Sequence, residues 1–338
     1  MYCASRDARS NTASFAAEAV PFEPPHGAKV AHVKHRPKLV ALLGPTACGK
    51  SSIALRLATE LDMEIVNCDS RQIYREMEIG TAKPSAADRA LVPHHLLDLV
   101  SPAEVFSAGD FLKVAAQCLN KLWISGKRTL LVGGTGFYFD ALQNGLPAIH
   151  TDPEVKKMLE IRIQTGGLDA LVEELRRIDP TALKRLDLAN PRRVIRALEI
   201  VLSSGGTLDS ARRREGALNA EIKTFFVGIP RPSLWERIRT RVAKMVEAGL
   251  QAEVTLLAKK YGSSAPGLQS IGYSEWLSTA PDKIDPERIA GDIVVHTRQY
   301  AKRQETWFRK RPGTPMITLD CLDSYDRIRA EISDFLAT

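Results

Sequence analysis

The chain lacks a disulfide or zinc pattern. Its five cysteines, Cys3, Cys48, Cys68, Cys118 and Cys321, are scattered through 338 residues with no Cys-x-x-Cys pair. An odd, dispersed set argues against a disulfide framework and a zinc site, and for a reducing compartment. Aromatics are scarce, at 6%, so an open channel lined with base-stacking rings is not expected to be the main theme. No apolar run approaches the roughly 18 residues that a membrane span needs. The first 37 residues offer no apolar core, and Asp7, Glu18 and Glu23 are acids that a transit peptide avoids. They read as a disordered extension of a cytoplasmic protein with no membrane contact.

What is present supports a globular α/β protein. Hydrophobic residues make up 44% and charged residues 26%, enough core for one large or two ordinary domains. The formal net charge of +7 is compatible with a polyanionic partner without requiring one. Apolar periodicity predicts a strand over Lys38–Leu43, a helix over Gly49–Leu61, a strand over Glu64–Cys68, a helix over Phe111–Ile124 and a strand over Thr129–Val132. That alternation is the pattern of a parallel sheet covered on both faces. From about Asp152 to Leu202 the chain turns helical and rich in Arg, Lys and Glu, with turns at Gly166-Gly167 and Asn190-Pro191. A strand returns at Thr224–Ile229, followed by long helices over Ser233–Tyr261 and Asp292–Arg309. The expected division is therefore an extension over 1–37, a first part of the core over 38–145, a helical insertion over 146–205, and completion of the core with C-terminal helices over 206–338.

The sharpest signal is Gly44-Pro45-Thr46-Ala47-Cys48-Gly49-Lys50-Ser51, a Gly-x-x-x-x-Gly-Lys-Ser phosphate loop between a strand and a helix. Amides of Ala47 to Lys50 face an anion at the helix N-terminus, Gly44 and Gly49 permit close backbone approach, Lys50 adds a point charge, and Ser51 offers a hydroxyl to Mg²⁺. Cys48 fills the loop. The anion is open at this level: ATP in a small-metabolite kinase or NTPase, or a diphosphate that leaves. The strand Thr129–Val132 ends in Gly133, without an acid to steady Mg²⁺, and Asp69 is the strand-end acid nearby. This leans away from ATP hydrolysis. Asp69 is a candidate base, helix cap or metal ligand. His94-His95, without a third ligand in view, reads as a structural pair. In the last long helix, Ile293, Tyr300 and Trp307 fall on one apolar stripe and Arg298, Lys302 and Arg309 on a basic one.

Eight further blocks follow the loop in order: DSRQIY from Asp69, IGTAKP from Ile79, PHHLLD from Pro93, FSAGDF from Phe106, LVGGTGFYFDAL from Leu131, NPRRVIRALE from Asn190, QSIGY from Gln269 and TRQYAKRQETWF from Thr297. From about Lys38 to Arg311 the chain resembles the tRNA dimethylallyltransferases. The resemblance implies a P-loop α/β core that moves a dimethylallyl group from dimethylallyl diphosphate to N6 of the adenosine 3′ of the anticodon. Mg²⁺ would be the cofactor, the anticodon stem-loop of tRNA the partner, and a monomer the acting species. By the same resemblance Asp69 bonds N6 and accepts its proton, and Thr46 stands near the reacting centre. Arg231 and Arg237 clamp the diphosphate. Thr135 contacts the RNA, and Lys156 is assigned to it too. So do Asp69, Ser70, Arg71 and Gln72; Arg192, Arg193, Val194, Ile195 and Arg196; Gln269, Ser270, Ile271, Gly272, Tyr273 and Ser274; and Arg298, Lys302 and Arg303. Two departures stand out: Cys48, where Ser or Ala is more usual, and Gln269-Ser270, where many relatives carry a base. A free-adenylate isopentenyltransferase, a metabolite kinase and a non-catalytic RNA-binding protein are the alternatives. The basic helices favour RNA, and Asp69 beside the loop favours chemistry.

Overall fold

The computed structural model describes residues 36–147, 152–209, 214–280, 283–311, 315–319 and 322–338. The expectation for the extension lies outside them, apart from Arg36 and Pro37. Residues 36–338 form one compact unit.

Six strands of the described residues make a parallel sheet: β1 (Lys38–Leu43), β2 (Met63–Cys68), β3 (His94–His95), β4 (Arg128–Gly133), β7 (Glu221–Gly228) and β8 (Met316–Thr318), in the spatial order β3-β2-β4-β1-β7-β8. The central strands are apolar on both faces, as Leu39 through Leu43 illustrate with no exposed surface, because helices cover both sides. On one side α1 (Lys50–Glu60), α7 (Arg231–Glu247), α8 (Leu250–Tyr261) and α10 (Pro286–Arg309) close over Val40, Leu42, Leu130 and Val227. On the other, α3 (Ala108–Ile124) and α4 (Gly136–Asn144) close over Leu39, Ala41, Leu43 and Leu131. The helix α3 starts at Ala108, three residues before the apolar period does, because Ser107 and Asp110 form a reciprocal capping box. The short α2 (Ala86–Leu91) is capped in the same way by Ser85 and Asp88.

The helix expected over Ser233–Tyr261 is two helices, α7 and α8. The chain breaks at Gly249, whose φ of 93° is left-handed. The last long helix begins at Pro286, ahead of the predicted Asp292, since the Asp285 carboxylate accepts from the amides of Glu287 and Arg288.

The insertion leaves and re-enters the core through a two-stranded antiparallel ribbon, β5 (Leu146–Pro147) against β6 (Arg214–Glu215). Beyond it, α5 (Pro153–Ile178), broken at Gly167 as the sequence suggested, packs on α6 (Pro191–Ser204) around a separate core of Leu159, Leu171, Leu175, Val194, Leu198 and Val201. Asp140 of α4 fastens the ribbon, accepting from Arg214 at 2.9 Å, from Asn144 at 2.7 Å and from Arg311 at 2.5 Å. The short α9 (Ser274–Leu277) and α11 (Leu322–Ala337) complete the unit.

Candidate active site

The site lies at the C-terminal edge of the sheet, where β1, β2 and β4 end side by side and parallel α/β sheets bind their ligands. After β1 the backbone turns through Ala47 (φ 63°) and Gly49 (φ 97°) into α1. No Cβ fits at Gly44, where it would stand 2.2 Å from the Val227 carbonyl oxygen. Lys50 is buried, with Nζ on the Pro45 carbonyl at 3.3 Å, and Ser51 is exposed. Cys48 is buried in the core, in keeping with a filling role.

The loop is tied down from a distance. The buried amide of Gln304 on α10 accepts from the Thr46 amide at 2.9 Å and donates to the Gly134 carbonyl at 2.8 Å, locking the phosphate loop to the glycine turn after β4. Arg237 of α7 donates to the Cys48 carbonyl at 3.0 Å, and Arg241, one turn on, donates to the Thr46 hydroxyl at 3.1 Å. Burial pushes the Arg241 guanidinium below its ordinary pKa, and the Asp69 carboxylate pulls it back up.

Asp69 ends β2. Its amide donates to the Asn67 side chain at 3.0 Å and its carboxylate accepts from the Arg71 amide at 2.9 Å. Thr135 stands opposite, its hydroxyl accepting from the Ser70 amide at 2.9 Å. The Tyr300 hydroxyl is pushed up to about 12 by burial and then by the Asp69 charge, so it stays neutral.

Three connected spaces surround this edge. A small polar cavity of about 50 Å³ is walled by Thr46, Lys50, Ser51, Asp69, Gln72 and Arg241 among others. On one side opens a chamber of about 1030 Å³, with Lys50, Ser51, Arg237, Arg241 and Lys244 as its polar wall and Ile79, Ala82, Pro84 and Met245 among its apolar lining. On the other is a pocket of about 350 Å³ that takes in Asp69, Arg71, Gly80, Thr81, Gln269, Ile271, Tyr300 and Arg303. The small cavity joins the two: Lys50, Ser51 and Ala82 face the chamber, and Thr46 and Asp69 face the pocket. An anion with an apolar tail fits the first space and a planar polar ring the second.

The sequence-predicted residues divide. Thr46, Ala47, Gly49, Lys50 and Ser51 of the loop, with Asp69, Arg71, Gln72, Arg237, Gln269, Ile271, Gly272 and Arg303, meet in these spaces, whereas Ser70 and Thr135 line none of them and bond each other next to Asp69. Arg231 does not join them: its Nε and Nη2 both donate to the buried Glu305 carboxylate at 3.2 Å, tying α7 to α10. Val194, Ser270 and Tyr273 are buried at 0%, 2% and 0% exposure, so they support the segments that carry them and present no surface to a macromolecule. Ser274 is half-buried, its hydroxyl on Glu275, and Ile195 packs on the insertion core. Arg298 leaves the expected basic stripe as well. It is half-buried with its guanidinium 5.6 Å from the Trp235 ring centre, while Lys302 and Arg303 are exposed. Lys156, Arg192, Arg193 and Arg196 are exposed on the insertion, three of them in ion pairs there. His94 and His95 bind the Val92 carbonyl and Glu64, a structural pair as expected. Sequence reasoning missed Arg241, Gln304 and the polar role of Tyr300. An arginine four residues after Arg237 was the available signal for the first. Tyr300 was assigned to an apolar stripe, whereas it lines the pocket beside Asp69.

The IPP transferase family profile matches residues 72–311, and the isopentenyl transferase profile matches residues 37–94. The tRNA dimethylallyltransferase 1 of Trichlorobacter lovleyi is 40% identical over 82% of this chain and 92% of its own length. The tRNA dimethylallyltransferase of Gloeobacter violaceus is 40% identical over 81% and 90%. A crystal structure of the tRNA isopentenylpyrophosphate transferase of Bacillus halodurans superposes with a TM-score of 0.64 at 35% identity, covering 89% of this chain and 96% of that one. A eukaryotic dimethylallyltransferase acting on tRNA superposes with a TM-score of 0.76 at 25% identity, covering 89% and 80%.

Proposed function

This chain belongs to the IPP transferase family and is a tRNA dimethylallyltransferase, and we propose that it joins dimethylallyl diphosphate from the larger chamber to N6 of an anticodon-loop adenosine in the smaller pocket. The observation that carries this reading is the small cavity lined by both Lys50 and Asp69, an arrangement that a reaction between a bound anion and an amine would require.

The loop amides and Lys50 receive the diphosphate, with Arg237 and Arg241 beside them. As the allylic C–O bond breaks, negative charge grows on the leaving oxygens, where preorganised donors stabilise it most. The exocyclic amine of adenine is a weak nucleophile because its lone pair feeds the ring. Asp69 accepts a hydrogen bond from N6 and takes the proton as the new C–N bond forms. The Thr46 hydroxyl, held by Arg241, and the neutral Tyr300 hydroxyl orient the groups between which the carbon moves. Ser51 fits a Mg²⁺ site: its exposed hydroxyl faces the same cavity as the loop, and Mg²⁺ ordinarily completes its shell with substrate phosphates and water. When bound, the ion would draw charge from the departing diphosphate.

Exposed Lys156, Arg192, Arg193 and Arg196 on the insertion, with Lys302 and Arg303 on α10, supply the charge for the stem-loop phosphates. The enzyme would act as a monomer on cytoplasmic tRNA; no described helix is long and apolar enough to cross a membrane. The test is incubation of the pure protein with radiolabelled dimethylallyl diphosphate, Mg²⁺ and unmodified tRNA, with AMP as rival acceptor. Label in tRNA alone is expected; label in AMP alone would overturn the choice of acceptor.

A further inference from the structure

The turn over Glu78, Ile79, Gly80, Thr81 and Ala82 is the partition between the two larger spaces. Glu78, Ile79 and Ala82 line the chamber, whereas Gly80 and Thr81 line the pocket. Ala82 also lines the small cavity that joins them. The turn has no regular secondary structure, and Ala82 sits at a left-handed φ of 47°, so something outside it must fix its shape.

That group is Glu253 of α8, 175 residues further along the chain. Its carboxylate accepts from three successive backbone amides, those of Glu78 at 3.1 Å, Ile79 at 2.9 Å and Gly80 at 3.2 Å. It also accepts the Tyr273 hydroxyl proton at 2.6 Å. Three consecutive amides converging on one anion form the backbone concavity that elsewhere binds phosphate; here the protein supplies the anion itself. Tyr273, fully buried, packs against Gly80, where a Cβ would come within 2.3 Å of the ring. From the other side Gln72, next to the Asp69 segment, donates to the Thr81 carbonyl at 3.3 Å and the Ala82 carbonyl at 3.0 Å. The partition is thus clamped between Glu253 with Tyr273 and the segment that carries Asp69.

We propose that Glu253 is a positioning residue that holds this partition closed, so that the allylic carbon meets the RNA nitrogen and not water. The proposal rests on the functional reading above. Water reaching the carbon as its C–O bond to the diphosphate breaks would form a new C–O bond and lose its proton to solvent. The products would be dimethylallyl alcohol and diphosphate, with no RNA consumed. A partition that sags by a fraction of an ångström admits that competitor and misplaces the acceptor ring, and both faults favour hydrolysis over transfer. Glu253→Gln keeps the side chain's size while removing the charge that gathers the three amides, and its own N–H₂ group opposes them.

The experiment uses the full chain with Mg²⁺, dimethylallyl diphosphate labelled in the dimethylallyl group and an anticodon stem-loop RNA, and it counts label in RNA and in free alcohol in the same tube. In Glu253→Gln the ratio of alcohol to prenylated RNA is expected to rise about tenfold over the wild type, equivalent to about 1.4 kcal/mol of lost discrimination. In Tyr273→Phe, which deletes one hydrogen bond to Glu253 and keeps the ring on Gly80, the ratio should rise by less. A wild-type ratio in a folded Glu253→Gln protein overturns the proposal. Should that variant not fold, a wild-type ratio in Tyr273→Phe does so alone. A residue that serves only the fold would lower both products together and leave their ratio where it was. If the wild type itself labels no RNA, the functional reading fails first; if it labels RNA and both variants keep its ratio, only the role of Glu253 fails.

Discussion

Thr46 at the sheet edge and Arg196 on the insertion are both proposed above to contact substrate, and they are held in opposite ways. Thr46 has its amide on Gln304 and its hydroxyl on Arg241, residues 258 and 195 positions away. Arg196 pairs with Glu199, three residues away on its own helix, and Lys156 with Glu160, four away. Long-range ties to a buried amide and a half-buried guanidinium preorganise the first group at a cost already met in folding. The Lys156–Glu160 and Arg193–Asp187 pairs are exposed on both sides and worth about 0–1 kcal/mol each, so phosphates can displace those carboxylates with little loss; Arg196 differs in that its partner Glu199 is buried. One region is built to hold atoms still, and the other to exchange partners.

The hardest test of that contrast is Asp69→Asn, which keeps size and hydrogen bonding but removes basicity. The rate constant for transfer should fall by about 10² to 10⁴ in a single-turnover assay, with RNA affinity nearly unchanged. Restoration by excess Mg²⁺ would instead make Asp69 a metal ligand. Arg241→Lys comes next. A lysine ammonium cannot reproduce the planar guanidinium that reaches the Thr46 hydroxyl while facing the cavity, so a loss of roughly 10² in the rate constant is expected. A change in RNA affinity alone would move Arg241 into the exchanging class.

Asp140 stands where the two regions meet, and its effect is smaller. Burial pushes its carboxyl up, but hydrogen bonds from Arg214, Arg311 and Asn144 outweigh that and hold it below the usual range. A folded-state pKa below the unfolded one contributes stability above the unfolded value, near 3.9, and loses it as pH falls through the folded value. Asp140→Asn should therefore cost about 1–3 kcal/mol at pH 7, read from urea unfolding, and the gap to the wild type should narrow below about pH 4. A gap independent of pH would mean that the ribbon is held by shape and not by charge.

The same contrast explains what could be read in the sequence. Strands β1, β2 and β4 and the phosphate loop are local patterns, with apolar runs and glycines at fixed spacing, and they stood within two residues of their predicted bounds. Gln304 and Arg241 gave no such signal, because their function is defined by partners 170 to 258 positions away. Arg231 misled for the mirror-image reason: an arginine at the head of the right helix looks like a clamp until buried Glu305 is seen to take it. Within QSIGY, periodicity could not separate exposed Gln269 from buried Ser270 and Tyr273, since a tight turn buries alternate residues according to its neighbours. The helix break at Gly249 was missed because the apolar period runs on through it.

The smallest effect expected is also the most direct measure of exchange. If Arg192, Arg193, Arg196 and Lys302 each trade a local carboxylate or solvent for an RNA phosphate, neutralising any one should weaken stem-loop binding only modestly at low salt. The discriminating quantity is the slope of log affinity against log salt, which should flatten by roughly 0.7 to 0.9 for each contact removed. Affinity for dimethylallyl diphosphate, which faces the chamber and not the insertion, should stay constant. Replacing Arg192, Arg193 and Arg196 together should flatten the slope by more than any single replacement; because the three share the first turns of one helix, the three single effects need not add. An unchanged slope in that triple variant would leave the insertion's charge as solvated surface. A fall in the single-turnover rate with saturating RNA would break the contrast itself, for the insertion would then hold reacting atoms in place as the sheet edge does.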